Sequence, residues 1–487
     1  MTAAERRGRQ RHRLNAGPNT VTKTTSPAPP PLPASLSSLR AAPQRLTGAA
    51  RALALQIAAE TRAEWGYATD VIARAFRAHR ELGSGERRRV AETVYGLIRG
   101  DRRLDAIVAE LLEPAGRAGE TISQMVRDEL KLVVYELREG VPVDAVKADV
   151  RRMVRTELDL AAAALPEAGL GTRTGLERDA VRASMPTWLA QMVTAERGHD
   201  AGLALLEAMN NRAPMAVRVN TVLTTPEALT KELAEEGVVA HPGRLSPTTL
   251  VLETRVNAFG LSAFRRGLFE VMDEGSQVVA ELVAPPPGGR VLDACAGAGG
   301  KTLALAAAMS GKGRILAIDV DGKKLEELRR RSRRAGLNNV AARPITGDGA
   351  VLPAEARPGG WDRVLVDAPC SGLGVLRRNP EARWRLTAAD VASFPPRQVA
   401  LLVTYAPMVA VGGRLIYATC SILADENERV IERFLAERDD FVRVPLKEIW
   451  GKARVEALGQ ADDGFLRLDP SRHDADGFFA AILRRVR

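Results

Sequence analysis

The chain has 487 residues, 45% of them hydrophobic, which is too long for one ordinary core and apolar enough to fill several, so two to four domains are expected. Lysine and arginine number 70 against 60 aspartates and glutamates, a net charge of +10 that mildly favours a polyanionic partner, while an aromatic fraction of 4% argues against a broad stacking platform for single strands. No apolar run approaches the roughly 18 residues of a membrane span, no signal-peptide core is present, and the three cysteines form no disulfide framework; a reducing, cytoplasmic setting without a membrane partner is expected.

Residues 1–48 hold Arg6, Arg7, Arg9, Arg11 and Arg13, then Pro27, Pro29, Pro30, Pro31 and Pro33, and no aromatic residue. Such a segment cannot bury enough surface to offset its ordering entropy and reads as a disordered basic tail. From 49 to 160 the period is helical. Val90, Val94, Leu97 and Ile98 form one apolar stripe, and Leu130, Val133, Val134 and Leu137 another, with breaks at Gly83-Ser84-Gly85 and Glu113-Pro114-Ala115-Gly116. An all-α bundle of about five or six helices follows. Its arginines Arg87, Arg88, Arg89, Arg99, Arg102 and Arg103 offer RNA contacts or simply a solvated face.

Residues 161–180, with Gly169, Gly171 and Gly175, read as a linker. Residues 181–274 read as a small α+β subdomain: Met215 to Asn220 alternates like a strand, Thr225-Pro226 opens a capped helix that stops at Gly237, and Leu250 to Glu253 is a second strand. It is too small to act as an enzyme alone, so it reads as a docking or RNA-binding attachment. From 275 to 487 strand, turn and helix alternate. Arg290–Asp293, Arg314–Asp319, a run before Asp348, Arg363–Asp367 and Arg414–Ala418 are short buried strands, and Gly477–Arg484 closes the series. This is the pattern of a doubly wound, Rossmann-like α/β sheet.

Cys295, Cys370 and Cys420 each follow one of these strands. Open α/β sheets gather reacting groups at the carboxyl ends of strands, so three thiols so placed suggest one cleft. The turn Cys295-Ala296-Gly297-Ala298-Gly299-Gly300-Lys301-Thr302 lets backbone approach a ligand. A phosphate loop would need glycine where Cys295 stands, and a dinucleotide fingerprint would need it where Thr302 stands. S-adenosylmethionine, which carries no phosphate, is the cofactor expected. Asp319, ending the second strand, is placed for ribose hydroxyls, and Asp348 for an adenine amino group; either alone could be a helix cap.

Cys370, in Asp367-Ala-Pro-Cys-Ser-Gly, and Cys420, in Ala418-Thr-Cys-Ser, would lie on neighbouring strands about 4.8 Å apart. Both thiols precede helices, whose N-termini favour thiolates. Two thiols beside a methyl donor have an economical explanation. A thiolate adding to carbon 6 of cytosine makes carbon 5 nucleophilic, and a second base must then remove the carbon 5 proton. No metal is called for.

The motifs around these cysteines, together with Arg218-Val-Asn220, Met272-Asp-Glu-Gly-Ser-Gln277, Arg377-Arg-Asn-Pro-Glu381 and Trp384, resemble the RsmB (Sun-type) RNA cytosine-5 methyltransferases. The resemblance runs from about residue 50 to 487, because the helical segment looks like the NusB-type RNA-binding domain of that group. It implies a cytosine of ribosomal RNA, usually small-subunit, as substrate. It implies Cys420 as nucleophile, Cys370 as the base assisting release, and Asp367 near the target base. It also places Cys295, Ala296, Gly297, Ala298, Gly299, Gly300, Lys301, Asp319, Asp348 and Asp367 around S-adenosylmethionine, with Cys295 a packing and turn residue. The family pattern Ala-Ala-Pro-Gly-Gly-Lys is replaced by Ala296-Gly-Ala-Gly-Gly-Lys301, which restores an amide donor and frees a backbone angle.

Arg377, Arg378, Arg383, Trp384 and Arg385 would then lie by the cleft, gripping phosphates or stacking on a flipped base. The competing reading is a non-catalytic RNA-binding ribosome-assembly factor that retains the fold. The presence of both Cys370 and Cys420 discriminates against it, since a binder needs neither.

Overall fold

The computed structural model describes residues 45–113, 122–346 and 352–487. Of the segment expected to be a disordered tail, residues 1–44 lie outside the described residues. Arg45 and Leu46 are packed, which corrects the boundary: Leu46 is buried and Arg45 Nη1 donates to Ala145 O at 2.7 Å. Asp348 and Pro114 to Gly116 also lie outside the described residues.

Six helices follow, at Gly48–Glu64, Ala68–Ala78, Ser84–Arg99, Asp101–Leu112, Gln124–Arg138 and Val143–Val154. The Ser84–Arg99 helix is apolar over more than one stripe. Val90, Val94 and Ile98 pack with Leu53, Ala54 and Ile57, whereas Leu97 joins Leu130, Val133, Val134 and Leu137 in a second cluster. Among the described residues no helix is long and apolar enough to cross a membrane.

The stretch expected as a linker is folded. Leu170 is buried with Ala106 and Val181, and a helix spans Gly175–Arg182. Glycine content suggested freedom, but positive φ at Gly169 serves a packed turn against Ile107. Helices Thr187–Arg197 and His199–Ala208 come next. Their apolar residues Leu189, Val193, Leu205 and Leu206 share a core with Leu373 and Leu376, just after Cys370, and with Ile422 and Leu423, just after Cys420.

The small subdomain contains a four-stranded antiparallel sheet of β1 (Met215–Val219), β2 (Ala240–Pro242), β3 (Thr249–Leu252) and β4 (Phe269–Val271), in the order β2-β3-β1-β4. The helix Pro226–Glu235, capped by Thr225, lays Leu229 and Leu233 against Val217, Val219 and Leu250. Asn220 ties this unit to the next, donating to Gly267 O and Ala335 O, both at 2.9 Å.

The large sheet holds β5 (Arg290–Asp293), β6 (Arg314–Asp319), β7 (Val340–Pro344), β8 (Trp361–Asp367), β9 (Val409–Thr419), β10 (Phe441–Arg443), β11 (Phe465–Leu468) and β12 (Phe478–Arg485). Its order is β10-β12-β9-β8-β5-β6-β7, with β11 also on β12. The central pairs β9-β8-β5-β6-β7 are parallel, and β12 runs antiparallel to β9. Both faces are buried: Leu292, Leu316 and Val364 point to one core, Val291, Ile315 and Leu365 to the other. That is why the strands are unbroken apolar runs. The winding reverses between β5 and β8, so a crevice opens there.

Candidate active site

Cys295, Cys370 and Cys420 follow β5, β8 and β9, three adjacent strands astride the reversal. The glycine turn after β5 is held from two sides. Gly297 N donates to Asp319 Oδ2 at 2.8 Å, while Asp319 Oδ1 takes Asp321 N at 2.8 Å. On its outer side, Arg331 Nη1 donates to Ala298 O at 2.7 Å, and Arg331 is itself paired with buried Glu270 of β4. The glycines do different work. Gly299 has φ +87°, and a Cβ there would meet Leu328 Cδ1 at 2.1 Å, so it lets helix Gly322–Arg334 close on the turn. At Gly297 (φ +54°) and Gly300 a Cβ would meet nothing within 4 Å, leaving a cradle open to a ligand.

The electrostatics of this cradle are acidic. Asp293, Asp319 and Asp367 all act on the Cys295 thiol, whose proton affinity is raised first by burial and then by those charges. Cys295 therefore stays protonated and is no nucleophile. Asp293 is 1% exposed, accepts from Thr302 Oγ1 at 2.6 Å, and leaves Oδ1 without a partner. Burial pushes its pKa up to about 7. Lys301 crosses toward β8 and donates from Nζ to Asp367 Oδ2 at 2.7 Å, with the Phe478 ring 5.1 Å away. Burial works against its charge, but Asp367 and, more weakly, Cys420 outweigh it, and its pKa is raised. A crowd of carboxylates with one committed ammonium repels polyphosphates and fits a cationic, ribose-bearing ligand such as S-adenosylmethionine.

Cys370 Sγ and Cys420 Sγ are 3.3 Å apart. The expected helix N-termini are absent at the thiols. Short 3-10 turns, Leu373–Val375 and Ala424–Glu426, come after intervening residues instead. For Cys370 the expected thiolate is corrected too: the bond to Cys420, burial, and the charges of Cys420 and Glu426 raise its pKa well above the usual thiol value. Cys370 thus keeps its proton and can donate it toward Cys420.

Behind the thiols lies a polar core that the motifs did not reveal. Glu426, fully buried, accepts from Ser371 N (2.8 Å), Ser371 Oγ (2.5 Å), Ser421 Oγ (2.6 Å) and Gln398 Nε2 (3.1 Å). No motif singles out Glu426 in the sequence; its only signal is that it follows so closely on a strand end. Gly374 N donates to Cys420 O and Gly477 N to Gly374 O, both at 2.8 Å. No Cβ could fit at Gly374, where Gly477 O would be 2.2 Å away.

Of the residues expected to grip RNA, Arg377, Arg378, Arg383 and Trp384 are committed to other partners in the structure. Arg383 is 0% exposed, donates to Asn210 Oδ1 (2.6 Å) and Ser184 O (3.2 Å), and has its pKa pushed down to about 9 by burial. Arg377, 2% exposed, bonds Arg212 O and Asp474. Arg378 is doubly paired with Asp273 and Asp476. Trp384 donates from Nε1 to Ile98 O at 2.9 Å and packs on Trp65, ring centres 5.7 Å apart. Arg383 and Trp384 turn inward because the loop after Cys370 is the seam with the helical module, where backbone carbonyls need donors, whereas Arg377 and Arg378 face the small subdomain and the segment before β12. Arg385 is only partly covered, with its guanidinium over the Tyr67 ring at 4.3 Å. In the helical module, Arg99, Arg102 and Arg103 likewise donate to the carbonyls of Arg377, Met185 and Pro166.

Residues 280–484 match the family described as 16S rRNA methyltransferase RsmB/F, and residues 185–258 match its RsmF/B-like ferredoxin-like domain. A probable ribosomal RNA small subunit methyltransferase B of Synechocystis sp. is 32% identical over 462 residues, covering 90% of this chain and 99% of that protein. Ribosomal RNA small subunit methyltransferase B of Pseudomonas putida is 32% identical over 412 residues, 81% of this chain and 89% of that one. The crystal structure of PH0851 aligns with a TM-score of 0.71 at 28% identity, covering 91% of this chain and 100% of its own.

Proposed function

Since the chain belongs to the RsmB/F family of 16S rRNA methyltransferases and is an S-adenosylmethionine-dependent RNA (cytosine-5)-methyltransferase, we propose that it modifies a cytosine of small-subunit ribosomal RNA through a covalent bond to Cys420. The observation that carries this reading is the Cys370–Cys420 pair at 3.3 Å, beside the Lys301–Asp367 ion pair at the point where the sheet reverses.

Cys295 to Lys301, with Asp319 and Asp348, would hold the cofactor, which when bound supplies an electrophilic methyl group. Cys420 Sγ adds to carbon 6 of the target cytosine, and carbon 5 becomes nucleophilic. Asp367, held by Lys301, would hydrogen-bond the base and fix its face. Cys370, whose own proton passes to the cytosine ring as Cys420 adds, is then a thiolate that takes the carbon 5 proton, and Cys420 leaves carbon 6 as the ring gives up the proton it had gained. A thiol that holds its proton tightly is, once deprotonated, the stronger base, which suits Cys370 to that step. No metal enters the mechanism.

The test is to trap the adduct. Cys370→Ala, incubated with S-adenosylmethionine and 16S rRNA lacking the modification, is expected to give a protein–RNA band that survives denaturation, and Cys420→Ala none. Trapping by Cys420→Ala instead would reverse the two roles. Absence of a band from either variant, with no methyl transfer by the wild type, would favour the assembly-factor reading.

A further inference from the structure

Each reactive cysteine is followed by a serine, Ser371 and Ser421, for which the chemistry above has no task. Both hydroxyls converge on one oxygen, Glu426 Oε1, at 2.5 and 2.6 Å. The other oxygen, Oε2, takes the Ser371 amide at 2.8 Å and Gln398 Nε2 at 3.1 Å. Gln398 also donates to Pro369 O at 3.1 Å, so the residues on both sides of Cys370 are tied to this one point. The neighbouring Asn427 does the same for Cys420. Its Oδ1 accepts from Thr419 Oγ1 at 2.5 Å, and its Nδ2 donates to Ser421 O at 3.1 Å. Tyr417 Oη, from within β9, donates to Glu426 O at 2.5 Å.

All four donors to the carboxylate are neutral groups. A carboxylate with no exposed surface is costly to bury, and neutral hydrogen bonds recover that cost only when several converge. An apolar or neutral side chain would fill this space more cheaply, so stability alone does not account for it. A single hub joined to both cysteine loops does what a pair of independent loops cannot. It makes the separation of the two thiols depend on one side chain rather than on two separate turns.

We propose that Glu426 is a positioning residue for the thiol pair, clamping the loops after β8 and β9 so that Cys370 and Cys420 address the same carbon atoms. This rests on the covalent mechanism above. The carboxylate also has an electrostatic consequence, because its charge stands against a thiolate at Cys370 and helps keep the proton there. The apolar side of the same loops is held by Leu373, Leu376, Ile422 and Leu423, so Glu426 supplies the polar side.

The experiment measures kcat and KM in the full chain for Glu426→Gln, Ser371→Ala and Ser421→Ala, beside the adduct assay with Cys370→Ala. Glu426→Gln is expected to lose about 10- to 100-fold in kcat, the range for lost hydrogen bonds to a charged group, with KM for RNA and for S-adenosylmethionine within about twofold. Each serine variant is expected to lose about 3- to 10-fold, and to lose little more in the Glu426→Gln background, because all three act through one hub. Wild-type kcat in Glu426→Gln overturns the proposal, as does a loss that appears in KM and melting temperature with serine effects that simply multiply. Should Glu426→Gln fail to fold, full kcat in both serine variants overturns it instead. A Cys370→Ala protein that traps no RNA refutes the covalent mechanism itself, whereas trapping together with full kcat in Glu426→Gln refutes only the positioning role.

Discussion

Trp384 separates two roles that its sequence position leaves open. If it stacked on a flipped base, its removal would weaken RNA binding and leave the melting temperature alone. In the structure it is the peg between the helical module and the loop that follows Cys370, bonded to Ile98 O and packed on Trp65. Trp384→Phe removes the indole N–H and part of the ring and should cost about 1–2 kcal/mol, the net worth of one such bond plus some lost packing. Trp384→Ala also removes the ring and its aromatic partner. Trp→Ala costs about 3–5 kcal/mol in full cores, and because Trp384 is only partly buried the lower end, about 3 kcal/mol, is expected. At about 1 °C per kcal/mol for a chain of this length, the first variant should melt about 1–2 °C lower and the second about 3 °C lower. Calorimetry and RNA affinity measured on the same preparations decide between the roles. An Ala variant that melts with the wild type but binds RNA tenfold more weakly would refute the peg and restore the stacking role.

Two further outcomes follow from the cofactor cradle. Gly299→Ala should cost several kcal/mol, about 1–3 for a left-handed backbone and about 1–3 for overlap with Leu328, whereas Gly300→Ala should change stability by no more than about 0.5 kcal/mol; chemical denaturation of both checks this, and equal losses would contradict it. Asp293 has its folded pKa raised from 3.8 to about 7, so its contribution is fully present below the unfolded value and is lost as pH rises through the folded one. The cofactor-free protein should therefore lose up to about 4 kcal/mol between about pH 4 and 7 from this group, and Asp293→Asn should flatten that part of the curve. An unchanged slope in Asp293→Asn would rule the assignment out.

The large sheet was legible because its strands are buried on both faces and so appear as apolar runs ending in Asp293, Asp319, Asp367 and Cys420. The cofactor turn was legible for a local reason, since glycines that admit a ligand sit consecutively. What was not legible depends on partners far away in sequence. Arg377, Arg383 and Trp384 look like surface cations and a stacking ring until the carbonyls of Ile98, Ser184 and Arg212 are brought to them. No motif singles out Glu426 until Ser371, Ser421 and Gln398 close around it. The stretch 161–180 looked loose because its glycines were counted, while the burial of Leu170 against Ala106 could not be.

The seam behind the thiols also bears on how the molecule comes together. Its bonds join residues very distant along the chain: Trp384 to Ile98 across 286 positions, Arg197 to Ile422 across 225, and Glu196 to Ala424 across 228. Contacts of such long range carry a large loop-closure entropy and form late in folding. The hub at Glu426 is different: all its partners lie between Pro369 and Asn427, so the polar clamp on the two thiols belongs to the second half of the chain alone. The first half braces the far, apolar side of both loops, so the two halves share the work of holding one pair of sulfur atoms.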